Sequence, residues 1–95
     1  MGDEDVVWQR LDKFLFYARF CKTRMVAAAL IGGGGLRINR QPTEKPHARL
    51  RPGDILTLPL PRGVVVVQVL ALAKRREGAA QAQLLYKEIA APSLA

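Results

Sequence analysis

The sequence is poor in most of the residues that mark an enzyme, a secreted scaffold or a membrane protein. It holds one cysteine, Cys21, and one histidine, His47, in 95 residues. A single thiol excludes an intramolecular disulfide framework, and one residue of each kind leaves too few ligands for a zinc cluster. No metal and no cofactor are therefore expected. Long apolar runs are missing too. The longest uncharged stretch, Met25 to Leu36, has 12 residues and includes Gly32 to Gly35; a bilayer span needs roughly 20 apolar residues. The opening Met-Gly-Asp-Glu-Asp is acidic where an export signal is basic, so a cytoplasmic location without a membrane partner is expected. Acidic residues overall are scarce: 8 Asp plus Glu stand against 15 Lys plus Arg, for a net charge of +7.

What is present suits one small globular domain. Hydrophobic residues make up 49% of the chain and charged ones 24%, and so short a chain supports one modest core without a deep catalytic cleft. Arginine outnumbers lysine ten to five. That bias suits a polyanion, because the planar guanidinium fork grips phosphate oxygens bidentately. A basic surface that is merely solvated is the competing reading, and placement of the cations decides between them.

Residues 1–9 read as an acidic lead-in carrying Asp3, Glu4 and Asp5. Leu11, Phe14, Leu15 and Ala18 then recur at helical spacing and predict a first helix. Thr23 is a natural N-cap for a second helix running through Ala27, Ala28 and Ala29 to Ile31, which Gly32 to Gly35 stop. Leu36 to Asn39 alternates like a strand, Arg51-Pro52-Gly53-Asp54 has the order of a type II turn, and Leu56, Leu58 and Leu60 predict a strand. Pro59 cannot donate to a ladder and should face an edge. Val64 to Ala73 is the longest strand candidate, and Gly78 onward reads as a short Ala-rich helix until Pro92. The order is helix, helix, strands, helix, an α+β domain with no internal repeat.

No catalytic site assembles from this inventory. The four glycines run from helix to strand, whereas a phosphate loop runs from strand to helix, so they are a helix stop. His47 has no partner nucleophile or positioned carboxylate and reads as an exposed loop residue. Cys21 reads as a small core residue. Asp12, between cations, is placed to orient Arg or Lys side chains, and Asp54 suits a turn. Phe16 and Phe20 lie opposite the first helix's apolar stripe; a covering element such as the C-terminal helix or Trp8 is favoured over base stacking.

The cations do assemble. Residues 10–24 contain Arg10, Lys13, Arg19, Lys22 and Arg24 against Asp12 alone, and residues 37–51 contain Arg37, Arg40, Lys45, Arg49 and Arg51 against Glu44 alone. Lys22 and Arg24 flank the start of the second helix, where unpaired N–H groups already favour an anion.

The string Arg10-Leu11-Asp12-Lys13-x-Leu15, followed by Lys22-Thr23-Arg24-x-x-Ala27, Gly33-Gly34, Arg37-Ile38-Asn39-x-Gln41 and Gly53-Asp54-x-Leu56, resembles the S4-type RNA-binding domain. The distal Arg75-Arg76 and Leu84-Leu85-Tyr86-x-Glu88 are similar to the bacterial ribosome-associated heat shock protein 15 group within it. The resemblance implies two packed N-terminal helices on a small, mostly antiparallel sheet (the alpha-L RNA-binding motif), here with a short C-terminal helix. It implies RNA contacts at Arg10, Lys13, Arg19, Lys22, Arg24, Arg37, Asn39 and Lys45. Thr23 joins them as the cap of the anion-favouring helix end, and Arg40 replaces the glycine usual after the asparagine and adds a cation.

The expected organisation is thus a lead-in at 1–9, an RNA-binding domain at 10–76, and a C-terminal helix and tail at 77–95. The expected function is non-enzymatic binding of structured ribosomal RNA on the large ribosomal subunit, in recycling or rescue of stalled nascent-chain complexes, with peptidyl transfer RNA as a further candidate partner. The alternatives are action on transfer RNA, membership of an RNA-modifying enzyme system, and DNA binding, with DNA ranked below RNA. Oligomeric state is left open.

Overall fold

The computed structural model describes residues 8–90. Strand β1 (Gln9–Arg10) leads into helix α1 (Leu11–Tyr17) and helix α2 (Arg24–Gly32). Short strands β2 (Arg37–Ile38), β3 (Gln41–Pro42) and β4 (Arg49–Leu50) follow, then the long hairpin β5 (Ile55–Leu60) and β6 (Gly63–Val69). Helix α3 (Ala79–Ala82) continues into a 3-10 turn at Gln83–Leu85, and β7 (Tyr86–Ala90) ends the described chain. The main sheet has five strands in the order β3-β2-β5-β6-β7, antiparallel at every pairing, and β1 pairs with β4 in a separate ribbon. The expected α+β class, two helices with a mostly antiparallel sheet, is what forms. The acidic stretch at 1–7 and the tail from 91 lie outside the described residues, whereas Gln9, read as lead-in, belongs to β1.

The apolar stripe builds α1 as its spacing requires: Leu11, Phe14 and Leu15 are fully excluded from solvent, with Ala18 nearly so. The helix ends in a Schellman closure, with Phe20 N donating to Leu15 O at 3.0 Å and Arg19 N to Phe16 O at 3.1 Å. Arg19 occupies the left-handed position of that motif, at φ 65°, where glycine is the usual residue. Thr23 caps α2, its Oγ1 accepting from Val26 N at 3.0 Å. Ala27 and Ile31 turn inward, and the small Ala27 lets α2 lie close to α1.

Alternation sets the sheet's inner face. Leu56 opposes Val67 and Leu58 opposes Val65, and all four are fully buried with Val69, Leu36 and Leu50. Pro59 sits where its missing N–H does no harm. It shares the parity of Ile55, whose carbonyl accepts from Asn39 N at 2.7 Å on the β2 side, and β2 stops opposite Thr57. Gly35, at φ 88°, lies beside the Pro59 ring there, where an added Cβ would make ordinary contact at 3.5 Å. The turn at Arg51 to Asp54 forms as expected, with Gly53 at φ 96° and Asp54 N donating to Arg51 O at 3.1 Å.

Two stretches depart from the sequence reading. The strand expected to run to Ala73 ends at Val69, because the N–H groups of Leu70 and Ala71 both turn to Leu85 O, at 2.8 and 3.2 Å. The helix expected from Gly78 toward Pro92 is one turn long. From Tyr86 the chain is strand β7, laid along β6 with Val69 opposite Tyr86 and Gln68 opposite Lys87. Local alanine propensity loses here to the open hydrogen-bonding edge of β6. Phe16 and Phe20 are half-buried: Tyr86, in the C-terminal segment expected to cover them but as strand rather than helix, packs on Phe20 at 4.6 Å, whereas the Arg76 guanidinium lies 4.8 Å from the Phe16 ring centre.

Candidate nucleic-acid interface

Asp12 is the centre of the basic surface. It is the buried charged residue among those described, 4% exposed, held in the first turn of α1 by its N–H donating to Pro46 O at 3.0 Å. Arg10 grips it with a fork, Nε to Oδ1 at 3.1 Å and Nη2 to Oδ2 at 3.0 Å. Arg24 reaches across from α2 to donate from Nη2 to the same Oδ2 at 3.3 Å. Burial opposes the charge on Asp12, but hydrogen bonds and Coulomb attraction from both arginines outweigh it and hold the carboxyl below its ordinary range. The same contact raises the pKa of Arg10. Both guanidinium side chains remain more than two-fifths exposed. One carboxylate thus fixes two arginine planes while leaving outer N–H groups for another anion.

The β1–β4 ribbon brings a third arginine alongside, since Arg49 is the cross-strand partner of Arg10. Its guanidinium lies 4.5 Å from the centre of the Trp8 ring. Sequence reasoning counted Arg49 among the cations but did not single it out; the signal is a strand pairing between residues far apart in the chain. Lys45 stands exposed in the same loop, its N–H donating to Thr43 Oγ1 at 3.2 Å, and Ala48 O accepts from Leu11 N at 2.9 Å. Arg10, Lys13, Arg24, Lys45 and Arg49 therefore gather around the start of α1.

The other expected residues are placed elsewhere. Lys22 is exposed ahead of α2, while Thr23 is occupied as its cap. Arg19 lies past the end of α1, with Nη1 donating to Glu77 O at 3.0 Å. Arg37 is exposed on β2, paired with Thr57 on one side and Pro42 on the other. Asn39 and Arg40 form the two-residue turn between β2 and β3, both at positive φ, 52° and 72°, as a type I′ turn requires. Both ends of the Asn39 amide serve the fold: Nδ2 donates to Asp54 Oδ1 at 3.0 Å, and Oδ1 accepts from Ile55 N at 2.9 Å. Arg40 stays exposed at the tip.

Among the described residues no three His, Cys, Asp or Glu side chains gather as a metal site, and no helix is long and apolar enough to cross a membrane. Cys21 is buried, and burial pushes its thiol pKa up, away from the reactive thiolate. His47 is exposed.

Comparison with known proteins identifies the family and the fold. The S4 domain family matches residues 9–56. Over 88 residues the chain is 40% identical to the heat shock protein 15 homolog of Haemophilus influenzae, an alignment covering 93% of this chain and 64% of that protein. Over 90 residues it is 39% identical to heat shock protein 15 of Escherichia coli K12, covering 95% and 67%. The chain thus spans about two-thirds of the length of these relatives. The trimeric structure of Vibrio cholerae heat shock protein 15 superposes with a TM-score of 0.81 at 36% identity, over 88% of this chain and 84% of that one.

Proposed function

The chain belongs to the S4 domain family, the RNA-binding fold its sequence resembles, and from that membership we propose that it binds structured ribosomal RNA on the large ribosomal subunit. In this reading it acts by binding alone, in the recycling or rescue of subunits that carry a stalled nascent chain on transfer RNA. The observation that carries the reading is the Asp12-centred pair of arginines. A buried carboxylate that holds two guanidinium planes half exposed is a preorganised receptor for phosphate oxygens. Arg49, Lys13 and Lys45 extend it into a patch wider than one phosphate. Such a patch reads backbone geometry before sequence, which suits a folded RNA.

Sucrose-gradient sedimentation of the tagged chain in a bacterial lysate tests this. Enrichment on free large subunits that is lost at high salt is the expected result. Protein that stays at the top of the gradient, with structured RNA still bound in a filter assay, overturns the ribosomal assignment and leaves transfer RNA as the client. Equal competition by duplex DNA and structured RNA of matched length overturns the RNA preference itself.

A further inference from the structure

Adjoining the Asp12 cluster, a surface groove runs between α1 and the segment 72–77. It consists of two adjoining hollows of about 360 and 410 Å³ that share Tyr17, Leu72, Ala73 and Lys74 as walls. Each is within the roughly 300–1,000 Å³ typical of small-ligand sites. Lys13 and Tyr17 are four residues apart on α1 and so share the helix face that borders the groove. Trp8, 40% exposed, forms one end.

The groove is built, because its far wall is fastened in three places, once to α1 itself and once to a residue on either side of it. Arg76 Nε donates to Phe16 O at 2.9 Å, Gln9 Nε2 donates to Ala73 O at 2.7 Å, and Arg19 Nη1 donates to Glu77 O. Its chemistry is an aromatic ring over an apolar floor, with the ammonium groups of Lys13 and Lys74 on the lip. The acid at the groove, Glu77, is already paired with Arg75, Nε to Oε2 at 3.3 Å. An aromatic face flanked by cations complements a flat base joined to phosphates on either side. A purely apolar peptide would leave both lysines unused.

We propose that this groove holds an unstacked nucleobase from a single-stranded stretch of RNA, stacked on Tyr17, with Lys13 and Lys74 on the flanking phosphates. The proposal rests on the RNA-binding reading and deepens it. Lys13 follows Asp12 directly, so a duplex held at the Asp12 cluster and a strand leaving it meet the protein side by side.

Trp8 is the one tryptophan of the chain, which makes its fluorescence a reporter for the groove. The full chain is titrated with a short single-stranded oligouridylate, a blunt RNA duplex of equal length, and uridine monophosphate. Saturable quenching by the single strand is expected; because Arg49 of the basic patch also lies on Trp8, duplex quenches as well, and groove variants separate the two sites. Tyr17→Leu should weaken single-strand binding about tenfold, the effect of losing one base–aromatic stack, and leave duplex affinity unchanged, while Tyr17→Phe restores single-strand binding. Should Tyr17→Leu fail to fold, Lys74→Gln on the exposed lip reads the same discrimination. Single-strand affinity that these variants leave unchanged, or duplex affinity that falls equally with it, overturns the groove assignment while RNA binding stands. Saturation by uridine monophosphate at the same concentrations makes it a free-nucleotide site and overturns the strand. Loss of all RNA binding by the wild-type chain overturns both readings together.

Discussion

Arg10 and Arg24 donate to the same oxygen of Asp12, from 3.0 and 3.3 Å, although one precedes α1 and the other opens α2. The helix pair and the basic surface are therefore locked by one carboxylate, and its removal is felt in both stability and affinity. Asp12→Asn keeps the shape and removes the charge. It should lower unfolding free energy by about 1–3 kcal/mol, the range for hydrogen bonds to a buried charged group, discounted for the exposed arginine ends. RNA affinity should fall with it as the guanidinium planes lose their orientation. Urea denaturation and a filter-binding assay on the same variant check the pair; stability loss with unchanged affinity would sink the orienting role.

The pH dependence has a definite sign. The folded pKa of Asp12 lies below its unfolded value, near 3.8. Its stabilising contribution is therefore full above that value and is lost as pH falls through the depressed folded value. The stability gap between wild type and Asp12→Asn should be constant from about pH 5 to 8 and narrow below about pH 4. Urea midpoints across that range measure it.

Arg40 is an arginine in a glycine position. At φ 72° it carries left-handed strain that glycine does not. Arg40→Gly should raise stability by about 1 kcal/mol, seen as a higher melting temperature. It should at the same time weaken RNA binding through the lost cation. A variant that is neither more stable nor weaker in binding would show that the turn relaxes around Arg40 and that the charge is idle.

The two ends of the anion-favouring start of α2 separate by salt titration. Lys22→Ala should reduce the slope of log affinity against log salt by about 0.7–0.9, one phosphate contact, at unchanged melting temperature. Arg24→Ala should reduce it similarly and also destabilise, because it breaks the bond to Asp12. Identical behaviour of the two variants would contradict the geometry.

Thr23→Ala removes a cap and leaves every cation in place. A loss of about 1 kcal/mol in urea unfolding is expected, with RNA affinity per folded molecule close to wild type. A large affinity loss at wild-type stability would instead make the Thr23 hydroxyl a direct contact.

Local signals carried much of the fold. Spacing alone located the buried side of α1, Thr23 announced the cap of α2, and the glycines after Ile31 marked its stop. The cations were visible as a charge imbalance, and Asp12 as their orienting acid. What stayed hidden depends on contacts between distant residues. Nothing near Tyr86 to Ala90 says strand, because the partner that makes it one is the edge of β6. Arg49 becomes the neighbour of Arg10 only through β1–β4 pairing, and Tyr17 walls a groove only because Arg76 brings the 72–77 segment against α1. Asn39, expected as an RNA contact, also ties its turn to Asp54 and Ile55, a structural role that only those distant partners assign.

The pairing of β6 with β7 sets an order of events during synthesis. The helix pair and the β2–β5–β6 part of the sheet have all their residues once Val69 has left the ribosomal tunnel, yet one edge of a strand with five valines stays bare until Ala90 emerges. For that interval the nascent chain displays an unsatisfied ladder of backbone groups from Val66 to Val69, the kind of edge that recruits a second chain. Termination before Tyr86 would make the exposure permanent, and such a product would aggregate even with its arginine cluster intact.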